Sequence, residues 1–232
     1  MLLRRRACPV PATRRPPWQH RARAAIGVPV GRYLSRQAAG PHGAVGRLLA
    51  RIWVSETAAV NDAAIELLNP APGEQVCEIG FGPGRTLGRL AAAGADVIGV
   101  EVSPTMVATA ARRNAAPIAT GRIRLHRGDG TALPVADDSL DAVIGVHTIY
   151  FWPDPAATLL DMARALRPGG RLVLAFRAGE HPLPARFDPA VYHVPTTSQA
   201  TQWLHAAGFT SIDVQRRANI SATVVWLTAT AA

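Results

Sequence analysis

The chain has 232 residues, 48% of them hydrophobic, and this predicts one globular domain with a sizeable core. Its net charge of +9 is concentrated at one end. Residues 1–55 hold eleven Arg and no acidic residue, whereas the other 177 residues hold 14 Arg and 16 acidic residues, a net charge of −2. Most of the protein therefore lacks a general basic surface for nucleic acid. The absence of Lys excludes a Walker-type phosphate loop, a Schiff-base enzyme and the Tyr and Lys catalysis of short-chain dehydrogenases.

The cysteine content points to a reducing compartment. Cys8 and Cys77 are the only two cysteines, and Cys77 lies in an apolar strand pattern. Neither a disulfide framework nor a zinc site is supported, so we expect a cytoplasmic protein without a bound metal. Gly, Pro, Arg or Asp interrupts every apolar stretch, and we expect no membrane insertion.

The N-terminal segment differs in composition from the rest. Residues 1–40 mix Arg, Pro, Ala and Gly without apolar periodicity, which predicts a disordered extension. A mis-assigned start, a tail and a targeting segment all remain open. Residues 41–232 are predicted to form the folded domain. It begins with two helices within residues 41–70, the first burying Val45, Leu48, Leu49 and Ile52, and the second starting at an N-cap Ser55.

Beyond these helices, short β-rich runs alternate with helical runs. This rhythm predicts an α/β fold with a mostly parallel seven-stranded sheet and helices on both faces. The last two strands have no helix between them, which predicts a C-terminal antiparallel β-hairpin. The predicted strands are 76–79, 96–101, 123–127, 141–146, 171–176, 211–216 and 220–228, and the predicted helices are 85–93, 104–113, 155–166 and 199–207.

The first predicted strand ends in an acidic residue and a glycine turn. Glu78 is followed by Gly80, Gly82 and Gly84, in the sequence EIGFGPG. Glycines allow the backbone to turn sharply and to approach a ligand closely. A carboxylate beside such a turn can bind a cationic group, directly or through water.

Two further acidic residues occupy equivalent positions. Glu101 ends the second strand, where a carboxylate can accept hydrogen bonds from both hydroxyls of a ribose. Asp129 follows the third strand between two glycines. Because the carboxyl ends of parallel strands meet at one edge of a sheet, Glu78, Glu101 and Asp129 are predicted to converge on one ligand. Ser103 and Pro104 then start a helix as N-cap and N1 residues, which places Met106 near that ligand.

These features resemble the class I S-adenosylmethionine (SAM) dependent methyltransferases, and more narrowly the group related to ubiquinone and menaquinone biosynthesis methyltransferases. The resemblance covers about residues 73–176. It is carried by EIGFGPG, GVEVSPTM, GDGTALPVADDSLDAV and ALRPGGRLVLAF. It implies a Rossmann-like methyltransferase sheet and SAM as cofactor.

The resemblance also implies a set of cofactor contacts. Glu78 and the three glycines would line the methionine portion, Glu101 would bind ribose, and Asp129 would border adenine. His147 follows the fourth strand at a position that faces the methyl group and varies with substrate. The full implied set is Glu78, Gly80, Gly82, Gly84, Glu101, Val102, Met106, Asp129, Gly130, Thr131 and His147.

The reaction implied is direct in-line methyl transfer to an O, N or C nucleophile. Because SAM is already activated, a general base is optional, and His147 and Tyr150 are the catalytic candidates, with His181, Tyr192 and His193 on other loops. The segment from Arg177 to Thr197 is predicted to cover the acceptor pocket together with the N-terminal helices. Such a short cover favours a small organic acceptor over a macromolecule, in a monomer or homodimer.

Other functions fit the sequence less well. A nicotinamide-binding GxGxxG turn would need glycine where Arg85 stands. DNA amino-methyltransferases resemble one another in DPPY or NPPY after strand four, whereas this chain has HTIY. A catalytically silent SAM-binding scaffold stays open, as does an RNA or protein methyltransferase that uses the basic N-terminal arm.

Overall fold

The computed structural model describes residues 27–232, which form one α/β unit. Its helices are α1 (Gly27–Ala39), α2 (Gly43–Leu68), α3 (Arg85–Ala92), α4 (Pro104–Arg113), α5 (Ala115–Ala119), α6 (Pro155–Ala165) and α7 (Thr197–Ala206). Its strands are β1 (Gln75–Ile79), β2 (Asp96–Glu101), β3 (Ile123–Arg127), β4 (Leu140–Val146), β5 (Leu166–Arg177), β6 (Phe209–Gln215) and β7 (Val224–Ala231). A single 3₁₀ turn, Ile149–Phe151, follows β4.

The seven strands form one sheet in the order β3-β2-β1-β4-β5-β7-β6. The first five strands are parallel, and β7 runs antiparallel to both β5 and β6. The predicted parallel sheet with a C-terminal antiparallel hairpin is therefore confirmed. Between β1 and β4 the strand order reverses direction, and open α/β sheets bind ligands at the carboxyl side of such a switch point.

Both faces of the sheet are covered, and the alternation of side chains along each strand explains how. On β1, Val76 faces the apolar cluster built with α2 and α3, whereas Cys77 and Ile79 face the cluster built with α6 and α7. Burial on both faces accounts for the nearly continuous apolar sequences of β1, β2 and β4.

Helix α1 corrects the prediction for residues 1–40. Gly27–Ala39 is helical, so the expectation of disorder is wrong for these residues, and residues 1–26 lie outside the described residues. Polar contacts rather than an apolar face hold α1 in place. Buried Ser35 accepts a hydrogen bond from the backbone N–H of Asp188 (2.8 Å), and Arg32 forms an ion pair with the Asp188 carboxylate (3.4 Å). Hydrophobic periodicity cannot reveal such a helix.

Helix α2 corrects a second prediction, because residues 43–68 form one helix rather than two. Ser55 lies exposed in its middle and caps nothing, since no Gly or Pro interrupts residues 47–68. Val45, Leu48 and Ile52 are exposed instead of buried. The inward face is built further along by Val60, Ala64 and Leu68.

The remaining boundaries agree with the prediction to within two residues, apart from β5 and β7. Strand β5 begins at Leu166, before the Pro-Gly-Gly turn that had been expected to precede it, and the β4–β5 register shifts there. Strand β7 is displaced to 224–231 because residues 217–223 form the turn that follows β6. No helix within residues 27–232 is long and apolar enough to cross a membrane.

Trp226 joins the sheet to the covering helix. Its side chain is fully buried on β7, and its indole N–H donates to the carbonyl of Val60 on α2 (3.1 Å). We expect Trp226→Ala to lower the free energy of unfolding by about 3–5 kcal/mol, because it leaves a large cavity. Urea unfolding measures this. The exposed Leu160→Ala should change stability by no more than about 0.5 kcal/mol, and equal effects of the two substitutions would contradict this packing.

Candidate functional site

The glycine turn after β1 contains three residues in the left-handed region, but their surroundings differ. Gly80, Gly82 and Gly84 have φ of 70°, 52° and 75°. A Cβ on Gly80 would lie 2.2 Å from the Thr148 side chain, and one on Gly84 would lie 2.7 Å from Ala110. A Cβ on Gly82 would meet nothing within 4 Å. Gly84 therefore allows helix packing and Gly80 allows the close approach of Thr148, while Gly82 borders open space at the sheet edge.

Glu78 is a buried acid with a free oxygen. It is 4% exposed, and its Oε2 is buried without a hydrogen-bond partner among the described residues. Burial raises the pKa of the Glu78 carboxyl to about 8, and the neighbouring negative charge of Glu101 raises it further. Such a group is stabilised by any cation placed against it.

Glu101 lies beside it and stabilises the glycine turn. Its Oε2 accepts from the backbone N–H of Gly82 (3.0 Å), and its Oε1 accepts from the N–H of Ser103 (2.8 Å). A carboxylate has about four acceptor positions, so two remain for a ligand. Burial raises the pKa of Glu101, although these backbone donors oppose that rise.

Asp129 is the third acid, and it is exposed at the mouth of the site. Its Oδ1 accepts from both the hydroxyl and the backbone N–H of Thr131 (2.7 and 3.0 Å), which lowers the pKa of Asp129. Thr131 and Gly130 do not reach the cavity themselves. A Cβ on Gly130 would approach the Ile79 side chain at 2.9 Å, so this glycine serves the close packing of the loop.

The start of α4 agrees with the prediction, but Met106 does not lie where the sequence predicted. Ser103 caps α4 by accepting from the backbone N–H of Met106 (3.2 Å), with Pro104 at the N1 position. Met106 is fully buried and does not line the cavity, whereas Val102 is 44% exposed and does. The structure therefore brings Val102, and not Met106, to the cavity.

These groups surround one cavity of about 700 Å³ at the carboxyl edge of the sheet. Glu78, Glu101 and Asp129 all line it, as do Gly80, Gly82, Val102, His147 and Tyr150. Helix α2 covers one side and the segment after β5 covers another. Gly84, Met106, Gly130 and Thr131, which the sequence also placed at the site, lie behind its wall.

Helix α2 is fastened to the glycine turn by contacts that the sequence did not reveal. The two terminal guanidinium nitrogens of Arg85 donate to the Asp62 carboxylate (2.6 and 2.9 Å), and this pairing is the main reason that the pKa of Asp62 is lowered. Thr86 adds a hydrogen bond to Asn61 (3.0 Å). In the sequence this ion pair is visible only as an acid and an arginine that lie 23 residues apart.

His147 lies just beyond β4 and is held in an unusual conformation. Its φ is +58°, which is rare for residues other than glycine and is often found at functional sites. Its Nδ1 is 3.0 Å from the hydroxyl of buried Tyr150, which also accepts a hydrogen bond from the backbone N–H of Arg177. Burial, and next the positive charge of Arg177, lower the pKa of His147 to about 4. The imidazole is therefore neutral at pH 7.

The part of the cavity lining that follows β4 and β5 is rich in aromatic residues. Tyr192 has ring-centroid distances of 5.4 Å to Tyr150, 4.9 Å to Phe151 and 4.6 Å to Phe187. We call Tyr150, Phe151, Phe187 and Tyr192 the aromatic wall. His181 and His193, the other candidate bases, do not line the cavity.

Comparison with known proteins supports one family for this arrangement. A family model described as "Methyltransferase domain" matches residues 77–174. The chain is 30% identical over 169 residues to the uncharacterized methyltransferase YdaC of Bacillus subtilis, a match that covers 71% of this chain and 87% of YdaC. The chain belongs to the class I S-adenosylmethionine-dependent methyltransferases.

Other members of this methyltransferase family are similar over shorter portions. The O-methyltransferase cnsE of Penicillium expansum is 31% identical over 155 residues, covering 63% of this chain and 56% of that protein. The chain spans about half the length of the curated O-methyltransferases that it matches.

A solved structure shows the shared methyltransferase fold. Phosphoethanolamine N-methyltransferase 2 of Haemonchus contortus, in complex with S-adenosyl-L-methionine, superposes with a TM-score of 0.64 at 20% identity. The match covers 74% of this chain and 52% of that one.

The burial of Glu78 makes the stability of this methyltransferase depend on pH. The pKa of the Glu78 carboxyl is about 8 in the folded protein and 4.5 when the carboxyl is exposed, as in the unfolded chain. Between pH 4.5 and pH 8 the folded protein therefore keeps a proton on Glu78 that the unfolded chain has lost. The Glu78 contribution to stability is therefore fully present below pH 4.5 and declines as pH rises towards 8. We expect Glu78→Gln, without cofactor, to leave Tm nearly unchanged at pH 5 and to raise it by a few degrees at pH 8.5.

Thermal melts at the two pH values measure this difference. The exposed Glu66→Gln on α2 is the control, and its effect on Tm should not grow with pH. A Glu78→Gln effect that is equal at both pH values would show that this carboxyl titrates as an exposed one.

Proposed function

We propose that this protein transfers a methyl group from SAM to a small organic acceptor bound in the same cavity. The observation that carries the proposal is the division of the cavity along the sheet edge, since the three carboxylates end or follow β1, β2 and β3, whereas the aromatic wall follows β4 and β5. A volume of about 700 Å³ lies within the range of small-molecule sites. Cover by α2 and by the segment after β5 favours a small acceptor over a macromolecule.

We assign the cofactor to the acidic side. Glu78 would face the cationic aminoacyl end, Glu101 the ribose hydroxyls, and Asp129 the adenine amine. Two observations support the fit: the partnerless Oε2 of Glu78, and the open space beside Gly82, where the backbone can approach a ligand closely. Val102 and Gly80 would complete this side of the site.

The remaining cofactor assignments become supporting roles. Gly84 and Gly130 permit close packing behind the turn, and Thr131 orients the Asp129 carboxylate. Met106 fills the core beneath the start of α4. These residues would shape the site without direct contact.

SAM supplies a methyl group bound to a positively charged sulfur, which makes that carbon electrophilic. When bound, SAM would supply this methyl group to a lone pair of the acceptor, and the electron pair of the broken carbon–sulfur bond would remain on the sulfur. A proton carried by the acceptor leaves to solvent. The protein's contribution is in-line placement and exclusion of water, for which the cover by α2 and the aromatic wall are suited.

We propose that His147 positions the acceptor rather than acting as a base. The Tyr150 hydroxyl accepts a hydrogen bond from the backbone N–H of Arg177. Among residues 27–232, the one acceptor that this hydroxyl contacts is His147 Nδ1. Its proton therefore points to Nδ1, which places the imidazole proton on Nε2. Since the pKa of His147 is about 4, a neutral Nε2–H donor is the form present at pH 7.

We also propose that the methyltransferase domain starts at α1 rather than at residue 41. Ala38 and Ala39 at the end of α1 line the cavity, and Arg32 and Ser35 attach α1 to Asp188. The helices within 27–68 would then form the cover of the site as a unit.

If Glu101 binds the ribose, substitutions at the two ends of β2 should have very different effects on SAM affinity. We expect Glu101→Ala to weaken SAM affinity at least 100-fold, because it removes the carboxylate and frees the Gly82 N–H. Asp96→Ala, at the opposite end of the same strand, should leave affinity within about twofold. Calorimetric titration with SAM measures both, and retained affinity in Glu101→Ala would overturn the site placement.

A turnover assay then distinguishes an enzyme from a silent SAM-binding scaffold. The protein is incubated with SAM and a metabolite extract, and formation of S-adenosylhomocysteine (SAH) is followed together with a mass gain of one methyl group. Binding of SAM without either product, across extracts of differing composition, would favour the scaffold.

A further inference from the structure

Charge is distributed unevenly around the cavity. The acids assigned to the cofactor lie at the ends of β1, β2 and β3, and Glu56 on α2 is the other carboxylate in the lining. Three arginines also line the cavity: Arg85, Arg177 and Arg186. Arg85 is paired with Asp62, which also forms an ion pair with Arg89. The other two belong to the end of β5 and the segment that follows it.

Arg177 is a half-buried cation that has no acidic partner in the described part of the chain. No carboxylate within residues 27–232 lies within 4 Å of its guanidinium, and its one hydrogen bond is a 3.4 Å contact with the carbonyl of Pro182. Its charge acts on the pKa of both His147 and Tyr150, so it lies close to these two groups. A cation in this position adds positive charge where the methyl acceptor would bind.

Arg186 lies across the aromatic wall. Its guanidinium carbon is 4.9 Å from the centroid of the Phe187 ring, a cation–π contact that holds the side chain over the wall. Its charge also opposes the rise in the Tyr192 pKa that burial causes. Within the described part of the chain it has no carboxylate partner either, since Asp188 is paired with Arg32.

The aromatic wall and the two arginines together define a ligand chemistry. Edge and tilted contacts among the rings form an apolar surface suited to a planar ring. Guanidinium groups bind carboxylates through paired, charge-assisted hydrogen bonds. SAM itself has a positively charged sulfur, so an anion on the acceptor would also be attracted towards it.

We propose that the methyl acceptor is an aromatic acid, with its ring against the aromatic wall and its carboxylate bound by Arg177 and Arg186. The inference rests on the proposed function, because it places the acceptor in the same cavity as SAM. The carboxylate serves recognition, and a separate ring substituent accepts the methyl group.

The test compares two probes of the same shape and different charge. Protein saturated with SAH is titrated with 2-naphthoate and with 2-naphthamide by calorimetry. We expect 2-naphthoate to bind at least tenfold more tightly. Arg177→Met and Arg186→Met should each reduce this ratio to threefold or less, and Arg177→Lys should retain part of it, since it preserves the charge.

Arg112→Met is the matched control, because Arg112 is an exposed arginine outside the cavity, and it should leave the ratio unchanged. Equal affinities for the two probes in SAH-saturated protein, or an unchanged ratio in both Met variants, would overturn the anionic acceptor. Arg186 is exposed, so its variant should fold even if Arg177→Met does not. SAH binding is measured first, and its failure would count against the proposed function instead.

Discussion

The site depends on a pair of carboxylates buried at the switch point of the sheet. Glu78 and Glu101 lie at the carboxyl ends of adjacent parallel strands, where burial raises the pKa of both carboxyls and the negative charge of Glu101 raises that of Glu78 further. Glu101 is compensated by two backbone N–H donors, whereas Glu78 retains a buried oxygen that has no hydrogen-bond partner among residues 27–232. A fold that maintains such a group gains stability when a cation binds against it.

This acidic pair accounts for the neighbouring structure. The glycine turn has to bring the Gly82 N–H to Glu101, and only a residue tolerant of positive φ allows that path. Arg85, the first residue of α3, then fastens α2 over the turn through Asp62. The acids, the glycine turn and helix α2 are thus linked by direct contacts. The segment that contains the glycine turn and Arg85 therefore shapes the acidic part of the cavity and also holds part of its cover in place.

Much of this could be predicted from the sequence, because it follows from local pattern. Strands β2 and β3 and helix α4 have the bounds that were predicted, since β-rich runs and the Ser103 and Pro104 cap are local signals. The convergence of Glu78, Glu101 and Asp129 follows from strand direction alone. Membership in the methyltransferase family, implied by the same motifs, was confirmed by the similarity to YdaC.

What was missed depends on contacts between distant residues. Helix α1 is held by Asp188, 153 residues from Ser35, and the Arg85–Asp62 pair joins two helices. Met106 was placed at the site by its distance from a helix cap, but its direction is set by packing beneath α4. Arg177 and Arg186 could not be recognised as cavity residues among the 25 arginines of the sequence. Only the folded chain shows which of them lack an acid.

The central claim is that the buried acids form the binding site for a sulfonium nucleoside. Calorimetric titration of the full-length, natively folded protein with SAM tests it most directly. We predict saturable binding of one SAM per chain, and competition by SAH. No detectable heat and no rise in Tm at millimolar SAM would contradict the account.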